Sequence, residues 1–163
     1  QKHKIRLKHV KEYSPMYEYK CKIVKIIDGD TVDVDIDLGF GMWVHKERIR
    51  LFGIDTPESR TRDLEEKHFG LKAKQFLTDM LDDPKGIKLV TKKDGKGKFG
   101  RILGEFIVYD AETDSYRSVN TMMVEKHIAV KYFGQSKEDI ESDHLVNRTR
   151  LAEQLGMAPP EIS

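Results

Sequence analysis

The sequence predicts an α+β fold, a small five-stranded Greek-key β-barrel with helices packed on its outside. Two observations predict it. Three β-rich runs follow one another in the first third of the chain with only short turns between them, the order of an antiparallel meander. A helical stretch, two more strand-like runs and further helical pattern complete the chain, with no internal repeat.

Residues 1–18 are basic, carry Ser14-Pro15 and lack periodicity, so they read as an arm or a peripheral strand before a domain over 19–156. Residues 157–163 read as a tail. Tyr19 to Ile27 is rich in β-formers and reads as the first strand, ended by the turn signal Asp28-Gly29-Asp30. Val32, Val34, Ile36 and Leu38 alternate with Asp33, Asp35 and Asp37, the period of a half-buried strand with a solvated acidic face. Those aspartates do not make an EF-hand loop, because Leu38 stands where its glycine belongs and Val44 where its glutamate belongs. After Gly39-Phe40-Gly41, strand character resumes from Trp43 to Ile54. The charged stretch Ser59 to His68 reads as a surface loop, and Phe69 to Leu81 as an amphipathic helix ended near Asp83-Pro84. Ile87 to Thr91 and Ile102 to Tyr109 read as strands, flanking a basic glycine-rich turn. Asp110 to Ser115 reads as a turn. Val119 to Ile128 reads as a helix with Asn120 as a candidate cap, and Ser136 as the cap of a last helix running to about Leu155, stopped by Gly156. Five strands with a helix after the third are the order of the oligonucleotide-binding (OB) fold, here with three packed helices.

A chain of 163 residues has room for one domain with a sizeable core. With 35% charged and 38% hydrophobic residues, it has the composition of a globular protein with a polar surface. The net charge of +1 says little about partners, but its distribution says more. Lys2, Lys4, Arg6, Lys8 and Lys11 form one basic cluster, and Lys92, Lys93, Lys96, Lys98 and Arg101 another. The single cysteine, Cys21, excludes an intrachain disulfide, has no zinc-ligand spacing around it, and reads as a buried small residue. No apolar stretch is long enough to span a membrane and no signal peptide is visible. The start at Gln1 leaves a processed or trimmed terminus open, and with it the compartment: secreted if processed, otherwise cytoplasmic. No oligomer interface or protein partner is indicated, so a monomer is expected. Trp43, Phe76 and Phe106 read as core, and His45, His68, His127 and His144, which lack ligand spacing, as surface or helix-face residues.

The chemistry concentrates in two turns. Asp28-Gly29-Asp30-Thr31 and Arg50-Leu51-Phe52-Gly53-Ile54-Asp55-Thr56-Pro57-Glu58 each end a strand-like run in a turn loaded with carboxylates. Brought together by neighbouring strands, Asp30 and Asp55 with a backbone carbonyl would make a hard oxygen site. Glu58, behind the stiffening Pro57, is placed to hold a water near the cation or act as a base. Arg50 lies between Ile49 and Leu51 and by alternation faces away from them, so it can donate two parallel hydrogen bonds to a phosphate. Arg101 follows Gly100 and is a second such candidate. Each piece alone is more often a turn or a surface ion pair. Their joint occurrence at strand ends points to phosphodiester hydrolysis. Phe99, Tyr132 and Phe133 either stack on a base or pack in the core.

At these residues the chain resembles the staphylococcal nuclease (thermonuclease) family, from about Tyr19 to Gly156. The likeness rests on Asp28 to Thr31, Arg50 to Glu58 and Gly100-Arg101, with Val119-Asn120 and Glu125 to Ala129 similar to the family's second-helix segment. The resemblance implies a calcium-dependent nuclease acting on DNA and RNA with little sequence preference, leaving 3′-phosphate ends. It implies that Asp30 and Asp55 bind calcium by their side chains and Thr56 by its carbonyl. It further implies that Glu58 positions or activates the attacking water, that Arg50 and Arg101 grip the phosphate, and that Lys98 helps hold a terminal phosphate. Phe99 stands where the best-known member has tyrosine, and the segment around Tyr132 and Phe133 departs from the family's base-stacking tyrosines. Two other readings are a nucleic-acid-binding module with a lost active site and an interaction protein on a generic barrel. The complete set of carboxylates and arginines favours the enzyme.

Overall fold

Alternation along β2 (Thr31–Gly39) sets the inside of the barrel. Val32, Val34 and Ile36 are buried, and their partners across the antiparallel ladders come from β1 (Tyr17–Asp28) and β3 (Met42–Leu51). These strands belong to the computed structural model of the chain, which describes residues 17–83, 85–96, 101–154 and 156, the backbone alone at 93–96. A two-residue strand β4 (Ile54–Asp55) follows, then helix α1 (Leu64–Leu81), β5 (Lys88–Lys96), β6 (Ile102–Asp110), β7 (Ser115–Ser118), α2 (Val119–Glu125), β8 (Val130–Lys131) and α3 (Lys137–Gln154). β5 pairs with β1 and β6 with β5, both antiparallel. β6 then runs parallel to β3, Leu51 opposite Gly104, and closes five strands into a barrel. The barrel and, among the described residues, three helices match the predicted OB-like α+β fold.

Gly104 permits that closure. A Cβ there would lie 2.8 Å from Leu89 Cδ1 and 3.0 Å from Ile49 Cγ2. Phe106 is fully buried beside Ile49, Leu51, Leu89 and Val108, and α1 adds Ala73, Leu77 and Leu81 to this core. Phe76 packs at its edge. Trp43 does not reach it: the ring is half-buried on the barrel exterior with Lys22 Nζ 4.8 Å from its centroid. Cys21 is partly buried against the core, and desolvation pushes its thiol up to about 11.

Several boundaries differ from those the sequence suggests. α1 starts at Leu64 rather than Phe69, because Asp63 caps it by accepting from the backbone N–H groups of Glu65 and Glu66. The charges that read as a loop are a favourable first turn, acids at the positive end of the helix dipole. α2 ends at Glu125 and is capped by Ser118, not Asn120. Asn120 is instead buried and ties the barrel seam, donating from Nδ2 to Phe52 O (2.9 Å) and Gly104 O (3.2 Å). The segment after Asp110 turns back as β7, extending β6 into a hairpin. Ser136 caps α3 as expected, with Asp139 N–H donating to Oγ at 3.2 Å, and Gly156 lies beyond with φ of +67°.

Candidate functional site

The two carboxylate-rich turns meet at one end of the barrel, and the backbone brings them there. Leu51 N–H donates to Asp30 O (2.9 Å) and Thr56 N–H to Asp30 Oδ2 (3.1 Å). Asp28 Oδ1 accepts from Gly29 N–H and from Ser59 N–H, so the first turn is stitched to the second. α1 locks both from behind at two glycines. A Cβ on Gly29 would lie 2.7 Å from Ala73 Cβ, and one on Gly70 only 2.3 Å from Glu58 O. The helix therefore rests on the peptide that carries Glu58.

Arg50 connects the acids. It projects from β3 away from the core, as alternation predicts, and is largely covered. Its Nη1 donates to Leu51 O (3.2 Å) and Ile54 O (3.0 Å) and lies 3.3 Å from Asp30 Oδ2, while Nη2 donates to Asp55 Oδ1 (3.1 Å). The other oxygen of Asp55, Oδ2, is 2.8 Å from His144 Nε2 on α3. Burial pushes the Asp30 carboxyl above its ordinary value; Arg50 pulls it down and Asp55 adds to the rise. Glu58 is exposed, and its carboxyl is also raised, by desolvation first and then by Glu66, Asp28, Asp55 and Asp30. Thr56 is buried, with Oγ1 lacking a hydrogen-bond partner among the described residues.

These side chains line a polar cavity of about 440 Å³ that holds Asp30, Arg50, Asp55, Thr56, Glu58, Arg101 and His144 in its wall. A second cavity of about 740 Å³ shares Arg50, Asp55 and Arg101 with it and is walled by Phe52, Leu103, Tyr132 and Phe133. Tyr132 and Phe133 are 41% and 72% exposed, so they are not core residues. Lys98 and Phe99 lie outside the described residues.

Among the described residues no group of three or more His, Cys, Asp or Glu side chains is arranged to hold a metal. The chemistry of the donor set still suits a hard cation. Asp30 and Asp55 line the same cavity as Glu58, the Asp30 carboxyl is raised by burial first and by Asp55 in addition, and a divalent cation would supply the countercharge that Arg50 only partly provides. His144 is the residue that sequence reasoning missed. It has no ligand spacing, and its one usable signal is helical: Ile140, His144 and Arg148 recur every four residues, the docking face of α3.

Residues 48–157 match the family model described as "Staphylococcal nuclease homologue", more than half of the chain. The chain belongs to this family. Among its relatives, it is 35% identical over 118 residues to Protein ParB of Escherichia coli, an alignment covering 71% of this chain and 58% of that protein. It is 27% identical over 121 residues to Endonuclease YhcR of Bacillus subtilis, covering 71% of this chain and 9% of the relative. It is 31% identical over 86 residues to Thermonuclease of Staphylococcus hyicus, covering 53% and 47%. The chain thus spans less than two thirds of the length of each of these relatives. As a staphylococcal nuclease homologue it carries Arg50, Asp55, Glu58, Arg101 and His144 within the matched segment, while Asp30 precedes it.

Proposed function

We propose that this chain is a calcium-dependent nuclease that hydrolyses phosphodiester bonds of DNA and RNA and leaves 3′-phosphate ends. The observation that carries the reading is the single cavity lined by Arg50, Glu58 and Arg101 together with Asp30 and Asp55. Calcium held by Asp30, Asp55 and the Thr56 carbonyl would polarise a phosphoryl oxygen and offset charge on the transition state. Arg50 and Arg101 bind the phosphate and stabilise the same charge with forked N–H groups. Glu58 takes the proton of the attacking water, whose oxygen bonds to phosphorus as the 5′ oxygen departs with its electron pair. Tyr132 and Phe133 supply aromatic faces for the flanking base, Lys98 a contact to a terminal phosphate, and Phe99 a packing surface without the phenol hydrogen bond.

Digestion of single-stranded DNA, duplex DNA and RNA with calcium, magnesium or chelator tests this. Calcium-dependent cleavage is expected, falling about 100- to 10,000-fold in Glu58→Gln while binding persists. Arg101→Lys should lose about 100-fold or more, since a point charge cannot replace the fork. Salt-sensitive binding without cleavage would instead favour the nucleic-acid-binding module, and unchanged turnover in Glu58→Gln would remove that residue from the mechanism.

A further inference from the structure

Helix α3 lines the polar cavity with Lys137, Ile140, Glu141 and His144, and of these His144 holds a carboxylate that the reading above places on the cation. His144 is 8% exposed, and its Nε2 lies 2.8 Å from Asp55 Oδ2 across 89 residues of sequence. A carboxylate can only accept, so Nε2 carries the proton of this bond. Among the described residues the His144 ring has no other hydrogen-bond partner, whereas Arg50 is shared between Asp55, Asp30 and two carbonyls. Asp55 needs such a hold. It sits on the two-residue strand β4, its side chain is 30% exposed, and among the described residues β4 pairs only with the equally short β8. α3 is itself firmly seated. Asn147 Nδ2 donates to Ala129 O (3.0 Å), and Arg148 Nη1 donates to Glu65 Oε1 (3.3 Å) in the first turn of α1.

We propose that His144 is a positioning residue for cation binding. Its Nε2–H fixes the plane of the Asp55 carboxylate, so that the remaining lone pairs face the polar cavity and the docking of α3 sets the affinity of the site for a divalent cation. This rests on the reading that Asp55 helps hold the cation. Outer hydrogen bonds to ligating carboxylates are worth about 10- to 100-fold in metal affinity.

Calorimetric titration with calcium alone, without nucleic acid, tests the proposal on the wild-type chain and on His144→Ala, His144→Gln and Asn147→Ala. His144→Ala should bind calcium about 10-fold more weakly or worse. His144→Gln, whose amide can donate in place of Nε2, should recover most of the loss, and Asn147→Ala, which loosens the α3 that carries His144 without touching Asp55, should weaken binding, by less than His144→Ala does. In cleavage assays His144→Ala should lower kcat at subsaturating calcium and leave KM for the nucleic acid unchanged. Wild-type calcium affinity in His144→Ala overturns the proposal, as does a His144→Gln variant no better than His144→Ala. A wild-type chain that binds no calcium overturns the cation reading and this proposal together. If His144→Ala does not fold, long-range proton–nitrogen spectra of the wild-type histidines decide: a proton on Nε2 of His144 supports the hold, and a neutral ring protonated only on Nδ1 overturns it.

Discussion

At Asp33 the carboxylate accepts from Arg48 twice, from Nε at 2.8 Å and from Nη2 at 3.1 Å. Alternation predicts Asp33 on the solvated face of β2, yet with the Arg48 guanidinium bonded to both its oxygens the residue is only 3% exposed. The hydrogen bonds from Arg48 hold its carboxyl below the ordinary value. A carboxyl lowered in the folded state contributes stability above its unfolded value and loses it as pH falls through the folded one. Asp33→Asn should therefore melt earlier than wild type at pH 7, by about 1 kcal/mol because Arg48 is half exposed and screened. Melts at pH 7, 5 and 3 should show that gap closing below about pH 4; a gap independent of pH would assign the loss to packing. Asp30 makes the opposite case within the same turn region, a carboxyl raised because burial outweighs its arginine. Residue identity alone does not tell these two aspartates apart: both are buried, and what differs is that the hydrogen bonds from Arg48 outweigh desolvation at Asp33 while Arg50 does not outweigh it at Asp30.

The elements that shape the site do so through close approach. α1 crosses the Glu58–Ser59 peptide at Gly70 with no room for a methyl group, and the obstructing atoms are backbone, which cannot rotate aside. Gly70→Ala should destabilise the chain by about 1–3 kcal/mol. Because the peptide that must shift carries Glu58, it should also lower turnover more than substrate affinity. A urea melt and steady-state kinetics on the same preparation check both, and a fully active, fully stable variant would contradict the packing argument. α1 shows where sequence reading stops at this scale. Its apolar face from Phe69 onward is legible from spacing, but its first turn is not, because Leu64 is exposed and the capping Asp63 sits in a run of charges that looks like loop. Asn120 misleads in a similar way. Asparagine near a helix start suggests a cap, and only the closed barrel supplies the Phe52 and Gly104 carbonyls that claim it instead.

For the whole molecule, a net charge of +1 is small enough that any attraction for a polyanion must come from local groups. If Arg50, Arg101 and Lys98 make the phosphate contacts, binding of single-stranded DNA by the Glu58→Gln variant should fall with salt at a log–log slope of about −2, from roughly −0.7 per contact. A slope near zero would shift the weight to stacking on Tyr132 and Phe133. The cavity geometry accommodates both contributions, since the polar chamber and the aromatic-walled one share Arg50, Asp55 and Arg101.

The sequence by itself determined the order of the five barrel strands, three of the four inward residues it named on β2 (Val32, Val34 and Ile36, but not Leu38, which is 45% exposed at the strand's end), the outward direction of Arg50 and the family to which the chain belongs. These follow from neighbours along the chain, where period-2 alternation and turn chemistry are written within a few residues. Only the tertiary structure decided that Asp30 is buried, that Arg50 spans both aspartates, and that His144 reaches Asp55 from the last helix. Those facts depend on barrel closure and helix docking. Each joins groups far apart in sequence, and whether a polar side chain is left in water or drawn to a partner is set by what packs over it rather than by its neighbours.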